Sequence, residues 1–214
     1  FSELLALSNH RGPDSSIVKQ SSKYRLGFNR LAILDTSEKG NQPKESKSKR
    51  YIFVLNGEIY NFKELIKEYS LEQLQSSSDS EVLVHLLDLL GVKETLQKLN
   101  GMFAIAIFDN LNKTLSISRD FAGIKPLFYG TSENGVVFAS QFNQIFKHPW
   151  FLNKLKIRPE IVKEYFGFGY MQAPNTIYKD IYQVNPGELL IFEEGNKVTI
   201  EDIKVFPKEI ENLK

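Results

Sequence analysis

Residues 103–118 read FAIAIFDNLNKTLSIS, and the fold class turns on them. The apolar run 103–109 and the run 114–118 have strand character, and Asn110–Lys113 between them has the composition of a tight connection. The pair reads as an antiparallel hairpin. Working outward, further strands are expected at 24–34, 51–55, 127–130, 136–140 and 188–192. Helices are expected at 1–9, 62–69, 79–90, 92–99, 142–147 and 159–166. Helices fall between groups of strands instead of after each strand. That order favours an α+β fold with antiparallel sheets over a doubly wound parallel sheet. No internal repeat or long linker interrupts the chain, so residues 1–206 read as one domain and the charged tail 207–214 as a connector.

Composition narrows the function classes. With 214 residues, 42% of them hydrophobic, the chain can bury a sizeable core. A net charge of +1 gives no electrostatic case for nucleic acid or an anionic membrane. The basic stretch KESKSKR, residues 44–50, reads as a solvated hairpin tip. No apolar run reaches membrane-spanning length and no signal peptide opens the chain, so the expected compartment is the cytoplasm. The sequence has no cysteine, which removes disulfides and thiolate metal sites. His10, His85 and His148 are isolated and lack metal-ligand spacing, so no metal is expected. Phe1, Leu4, Leu5 and Ser8 share a helical face from the first residue, without a cap, which predicts an N-terminus cut inside a helix.

Three polar positions carry candidate chemistry. Arg30, counted by twos, shares a strand face with Leu26, Phe28, Ala32 and Leu34. An arginine there needs an anion. A buried partner from the fold and a bidentate clamp on a ligand carboxylate both satisfy that need. Asn56-Gly57 could be a hairpin turn, but Asn61 and Glu64 resemble a capping box opening a helix. The favoured reading is strand, short turn, helix, with Asn56 at the strand's end. Its side-chain amide and the Gly57 N–H can then converge on one point, as an oxyanion hole requires. Asp79 lies between Ser78 and Glu81, a second capping-box pattern that puts it in a first helical turn. It is either an acid favoured by the helix dipole or a grip for a ligand ammonium.

These residues lie within an ordered series of motifs. His10-Arg11-Gly12-Pro13-Asp14, Arg30-Leu31-Ala32-Ile33-Leu34-Asp35, Gly40-Asn41-Gln42-Pro43 and Asn56-Gly57-Glu58-Ile59-Tyr60-Asn61 come first. Ser78-Asp79-Ser80-Glu81, Asn100-Gly101-Met102-Phe103-Ala104, Arg119-Asp120, Gly123-Ile124-Lys125-Pro126-Leu127, Phe138-Ala139-Ser140 and the run GYMQAPNTI at 169–177 follow. The series, spanning nearly the whole chain, closely resembles the N-terminal glutaminase domain of glutamine-hydrolysing asparagine synthetases, a class II glutamine amidotransferase.

The resemblance implies an N-terminal-nucleophile hydrolase-like αββα sandwich, two antiparallel sheets between helices. It implies that Arg30 binds the glutamine α-carboxylate and Asp79 the α-ammonium. Asn56 and Gly57 would form the oxyanion hole, Glu58 would line the site, and backbone from Ile33 and Leu34 would complete the cradle. Arg119-Asp120 and 123–127 are expected to serve packing and turn chemistry near a domain interface. In the family an N-terminal cysteine attacks the amide while the chain's own α-amino group handles the proton. That cysteine is absent here, so the chain as it stands is expected to be inactive. Gln141 stands where the family usually has Glu. The implied partners are L-glutamine, a C-terminal synthetase domain of the same parent chain, and in one arrangement a homodimer. No cofactor is expected in this domain, while ATP and magnesium would serve the synthetase domain. Two alternatives stay open: a scaffold or glutamine-binding domain without a nucleophile, and an amidotransferase feeding a different acceptor.

Overall fold

The hairpin at 103–118 forms the centre of a six-stranded antiparallel sheet in a computed structural model that describes residues 1–32, 35–194 and 197–203. Its strands are β3 (Lys44–Glu45), β4 (Tyr51–Ile59), β5 (Gly101–Asp109), β6 (Thr114–Arg119), β10 (Glu188–Phe192) and β11 (Val198–Asp202). They lie in the order β11-β10-β6-β5-β4-β3. In β5 large and small residues alternate, and this sets the two interfaces. Phe103, Ile105 and Ile107 face helices α2 (Phe62–Glu68) and α3 (Glu81–Lys98), packing with Leu65, Leu83 and Leu86. Ala104 and Ala106 face the opposite way, into a second core with Leu26, Ile52, Val54 and Phe108.

The second β layer is in two pieces among the described residues. One is the ribbon of β1 (Ser15–Gln20) and β2 (Arg25–Arg30). The other is the antiparallel sheet β8-β7-β9, made of β7 (Phe128–Ser132), β8 (Gly135–Ala139) and β9 (Ile181–Gln183). Phe28 of β2 and Phe138 of β8 both pack onto the core that contains Ala104 and Ala106. Outside this layer, α4 (Phe142–Phe146) packs Ile145 with Phe128 and Val137, while Phe1 and Leu5, at and within α1 (Ser2–Ala6), lie beside Gly27. The result is helices, sheet, split sheet, helices, which is the αββα arrangement. A fifth helix, α5 (Pro159–Phe168), buries Ile161 and ends at Gly169 in the left-handed region, φ 77°.

Several elements differ from expectation. β4 does not stop at Leu55: Asn56, Gly57, Glu58 and Ile59 continue the ladder opposite Ala104, Phe103, Met102 and Gly101. The chain turns instead at Tyr60-Asn61, where the Tyr60 N–H donates to the Asn100 carbonyl at 2.7 Å. Gly57 is required by close approach, since at its φ of 151° a Cβ would overlap the Met102 carbonyl oxygen.

Neither capping box forms. Asn61 uses its side chain to join Lys98 O and Asn100 N. Asp79 precedes α3 and is not in its first turn, and Glu81 turns its carboxylate to Lys44, Ser76 and the Gln75 N–H. The basic stretch is a hairpin tip, but a docked one. Lys44 and Ser46 are buried, and the Ser48 N–H and hydroxyl both donate to Asp88 of α3 at 2.6 Å. The helical patterns 79–90 and 92–99 are, as expected, two runs, which meet in α3 at a kink where Gly91 leaves the helical region, φ 75°. The strands β1, β3, β9 and β11 were not foreseen: β3 and β9 are only 2 and 3 residues long, and β1 (SSIVKQ) and β11 (VTIED) are mostly polar. The tail 207–214 lies outside the described residues.

Candidate functional site

The outer edge of β4 organises the site. In an antiparallel strand, alternate residues point their N–H groups to the same side. The Leu55 N–H is taken by the Gln42 side-chain carbonyl at 2.6 Å, and the Gln42 amide returns a bond to the Leu55 carbonyl at 3.1 Å. Two pairs along, the Ile59 N–H donates to Asp79 Oδ2 at 2.6 Å. Gly57 lies midway, so its N–H faces the same way, between the anchored Gln42 and Asp79. On the β5 side, Phe103 spends its backbone groups on Asp120, which agrees with this direction. Asn56 and Glu58 point to the face that carries Ala104, and the Asn56 amide donates to the Ser140 hydroxyl at 3.1 Å.

Arg30 closes β2 and is buried, 8% exposed. Its Nη1 donates to the Ser37 carbonyl and to Asn41 Oδ1, each at 2.7 Å, and its Nη2 donates to the Asp35 carbonyl. All three acceptors are neutral. Among the described residues the guanidinium has no carboxylate in ion-pair range, so no buried acidic partner from the fold meets it there. Three of its five donors hold the loop 35–41, and among the described residues Nε–H and one Nη2–H have no partner. Gly40 is small where a Cβ would press on this guanidinium.

Asp79 is 7% exposed and well supplied with donors: the Ile59 N–H, the Ser80 N–H at 2.8 Å and the Ser78 hydroxyl at 3.3 Å. Its turn is held from the far side by the buried pair Lys44–Glu81, 2.8 Å. Burial pushes the Glu81 carboxyl up, but Lys44, the Gln75 N–H and the Ser76 hydroxyl outweigh it and keep the group below its usual range.

Arg30, Asn56, Gly57, Glu58 and Asp79 all line one cavity of about 1230 Å³. Ile33 and Leu34, expected to contribute backbone, lie outside the described residues. The cavity has a polar end, formed by these five residues, and an apolar trough. The trough runs between β2 and β8, floored by Ala104 and Ala106 and walled by Leu26, Phe28, Val136 and Phe138. At this volume it exceeds the roughly 300–1,000 Å³ of small-molecule pockets. The edge of β2 away from β1 and the edge of β8 away from β7 both border the trough.

The sequence profile of the family described as "Glutamine amidotransferase domain" matches residues 1–202. The chain belongs to this family. Among curated relatives, the glutamine-amidotransferase domain is 33% identical over 193 residues to "Asparagine synthetase [glutamine-hydrolyzing] 1" of Bacillus subtilis, covering 90% of this chain and 30% of that protein. It is 40% identical over 139 residues to "Asparagine synthetase B [glutamine-hydrolyzing]" of Escherichia coli, covering 64% of this chain and 25% of that protein. The chain therefore spans about a third or less of these relatives' lengths. Among solved structures, the glutamine phosphoribosylpyrophosphate amidotransferase of B. subtilis superposes with a TM-score of 0.58 at 23% identity, covering 85% of this chain and 35% of that one. At that identity the match supports the N-terminal-nucleophile fold alone.

In this amidotransferase domain Arg119 and Asp120 serve turn chemistry. Arg119 donates to the carbonyls of Lys125, Val184 and Gly123, and Asp120 accepts from the N–H groups of Phe103, Ala122, Ile124 and Lys125. Gln141 sits at 3.2 Å from His10, Nε2 to Nε2. Sequence reasoning gave no role to Gln42 or Ser140, the partners that fix β4's edge and the Asn56 amide. Both lie within quoted motif blocks, but the contacts that define them span 13 and 84 residues.

Proposed function

We propose that this chain is the glutamine-binding half of a glutaminase, one that releases ammonia for amidation of aspartate by a synthetase portion of the same parent protein. One observation carries the reading: among the described residues Arg30 is a buried cation facing only neutral acceptors, in the same cavity as Asn56, Gly57 and Asp79. A buried charge without a counter-ion is costly, and a ligand carboxylate on its open edge would supply one with bidentate geometry. Asp79 Oδ2 would take the ammonium. The Gly57 N–H and the Asn56 amide would then meet the developing oxyanion, once the amide exchanges Ser140 for substrate.

The attacking thiolate is not among these residues, since the sequence contains no cysteine. The trough between β2 and β8 ends at the polar residues, and two strand edges flank it. We therefore assign it to an added strand that presents a nucleophile beside Asn56. That strand would come from outside the 214 residues. ATP and magnesium would act in the synthetase portion and not in this domain, and a cytoplasmic setting and a homodimeric parent belong to the same proposal.

The test is glutamate release from L-glutamine by the polypeptide encoded by the complete gene. Release with KM raised at least tenfold by Arg30→Ala supports the reading. Glutamine binding without turnover would instead favour the nucleophile-less binding domain, and no binding at all would sink both.

A further inference from the structure

Asp35 touches both recognition elements at once. Its carbonyl accepts from Arg30 Nη2. Its carboxylate Oδ1 accepts the Ser37 N–H at 2.8 Å and the Ser37 hydroxyl at 2.6 Å, while Ser37 O in turn holds Arg30 Nη1. The other oxygen, Oδ2, reaches across 42 residues of sequence to the Ser77 N–H at 3.1 Å and the Ser77 hydroxyl at 3.4 Å. Ser77 is two residues before Asp79. From these contacts we infer that Asp35 is a positioning residue that fixes the distance between Arg30 and Asp79 and so selects ligands carrying an α-carboxylate and an α-ammonium together. The inference rests on the glutamine-site reading given above.

The geometry makes the role separable from folding. The turn 76–81 keeps its second anchor, Lys44–Glu81, when the Asp35 bridge is cut. Arg30 keeps its bonds to the Asp35 and Ser37 carbonyls and to Asn41. Asp35→Asn preserves the side chain's shape and an oxygen for Ser37, but turns an amide donor toward the Ser77 N–H. The carboxylate clamp then survives, while the ammonium grip loses its direct link to that clamp and keeps only its own anchors, Lys44–Glu81 and the Ile59 N–H. The Ser37 hydroxyl and N–H hold the Asp35 carboxyl down to about 2 against burial, and the Ser77 N–H and hydroxyl lower it by less. The bridge is therefore charged throughout the working range.

The experiment compares L-glutamate with glutarate, which lacks the ammonium, as ligands that the site cannot turn over. Binding is read by titration calorimetry on the polypeptide encoded by the complete gene. Wild type is expected to prefer L-glutamate. Asp35→Asn is expected to weaken L-glutamate about tenfold and to leave glutarate within about twofold, because only the tie between the ammonium grip and the carboxylate clamp is cut. Ser77→Ala, which removes the weaker of the two bonds, is expected to act in the same direction with smaller size. Equal weakening of both ligands marks general damage to the pocket and overturns the inference, as does unchanged binding of both. Wild type that binds neither ligand sinks the glutamine-site reading itself.

Discussion

At Asn56 and Gly57 two adjacent residues are constrained for different reasons. Gly57 is held by backbone sterics, because β5 passes so close that any Cβ meets the Met102 carbonyl. Gly57→Ala is expected to lower stability by about 2–4 kcal/mol, from overlap and a strained φ combined, read as a drop in the urea midpoint. Asn56 is not constrained in this way, and its amide is free to exchange Ser140 for another acceptor. Asn56→Ala should leave the urea midpoint within about 1 kcal/mol while lowering kcat for glutamate release by about 10²–10³. A fall in stability as large as that of Gly57→Ala would show that Asn56 is structural. The sequence marked both residues but ended the strand at Asn56, because the helix signal at Asn61 and Glu64 asks for a turn before it and the pairing with β5 is not a local signal.

At the scale of elements, the buried pair between β3 and α3 fixes the turn that carries Asp79. Lys44 and Glu81 are almost fully covered. Removing one partner leaves a buried charge, so Lys44→Met should cost about 3–5 kcal/mol in chemical denaturation. Lys44→Met with Glu81→Leu should recover most of that loss. Additive losses in the double variant would refute the pairing. From sequence, Lys44 belonged to a basic run and Glu81 to a capping pattern. Their meeting depends on a contact across 37 residues, and local pattern does not encode it. The bend of α3 was legible, because Gly91 interrupts two runs of helical periodicity, and the structure puts a φ of 75° there.

For the molecule as a whole, acid stability should fall in two steps. Burial, then Lys47, lowers the His85 imidazole below its ordinary 6.5, while Glu81 and Asp88 oppose. Burial also lowers His148. Both are therefore neutral when folded, and their contribution is present above about pH 6.5 and lost as pH falls through the lowered values. Glu81 is depressed from 4.5, so its contribution begins to fade only below that pH. The urea midpoint should decline as pH falls below 6.5 and decline further below 4.5. His85→Gln with His148→Gln should remove the first step and leave the second. A first step that survives the double variant would contradict this assignment.

The sequence by itself determined the α+β class with antiparallel sheets and marked the candidate site residues, while the αββα layering was what the resemblance implied. Alternation along 103–118 and the order of helices and strands are local signals, and Arg30, Asn56, Gly57, Glu58 and Asp79 lie in local motifs. Only the tertiary structure decided what those residues face. Arg30's neutral surroundings, the Gly57 N–H between Gln42 and Asp79, and the trough over Ala104 and Ala106 arise where strands distant in sequence are stacked. Local periodicity sets which side of an element is apolar. It does not carry the packing of two sheets that, among the described residues, surrounds Arg30 with neutral acceptors and leaves strand edges open along the trough.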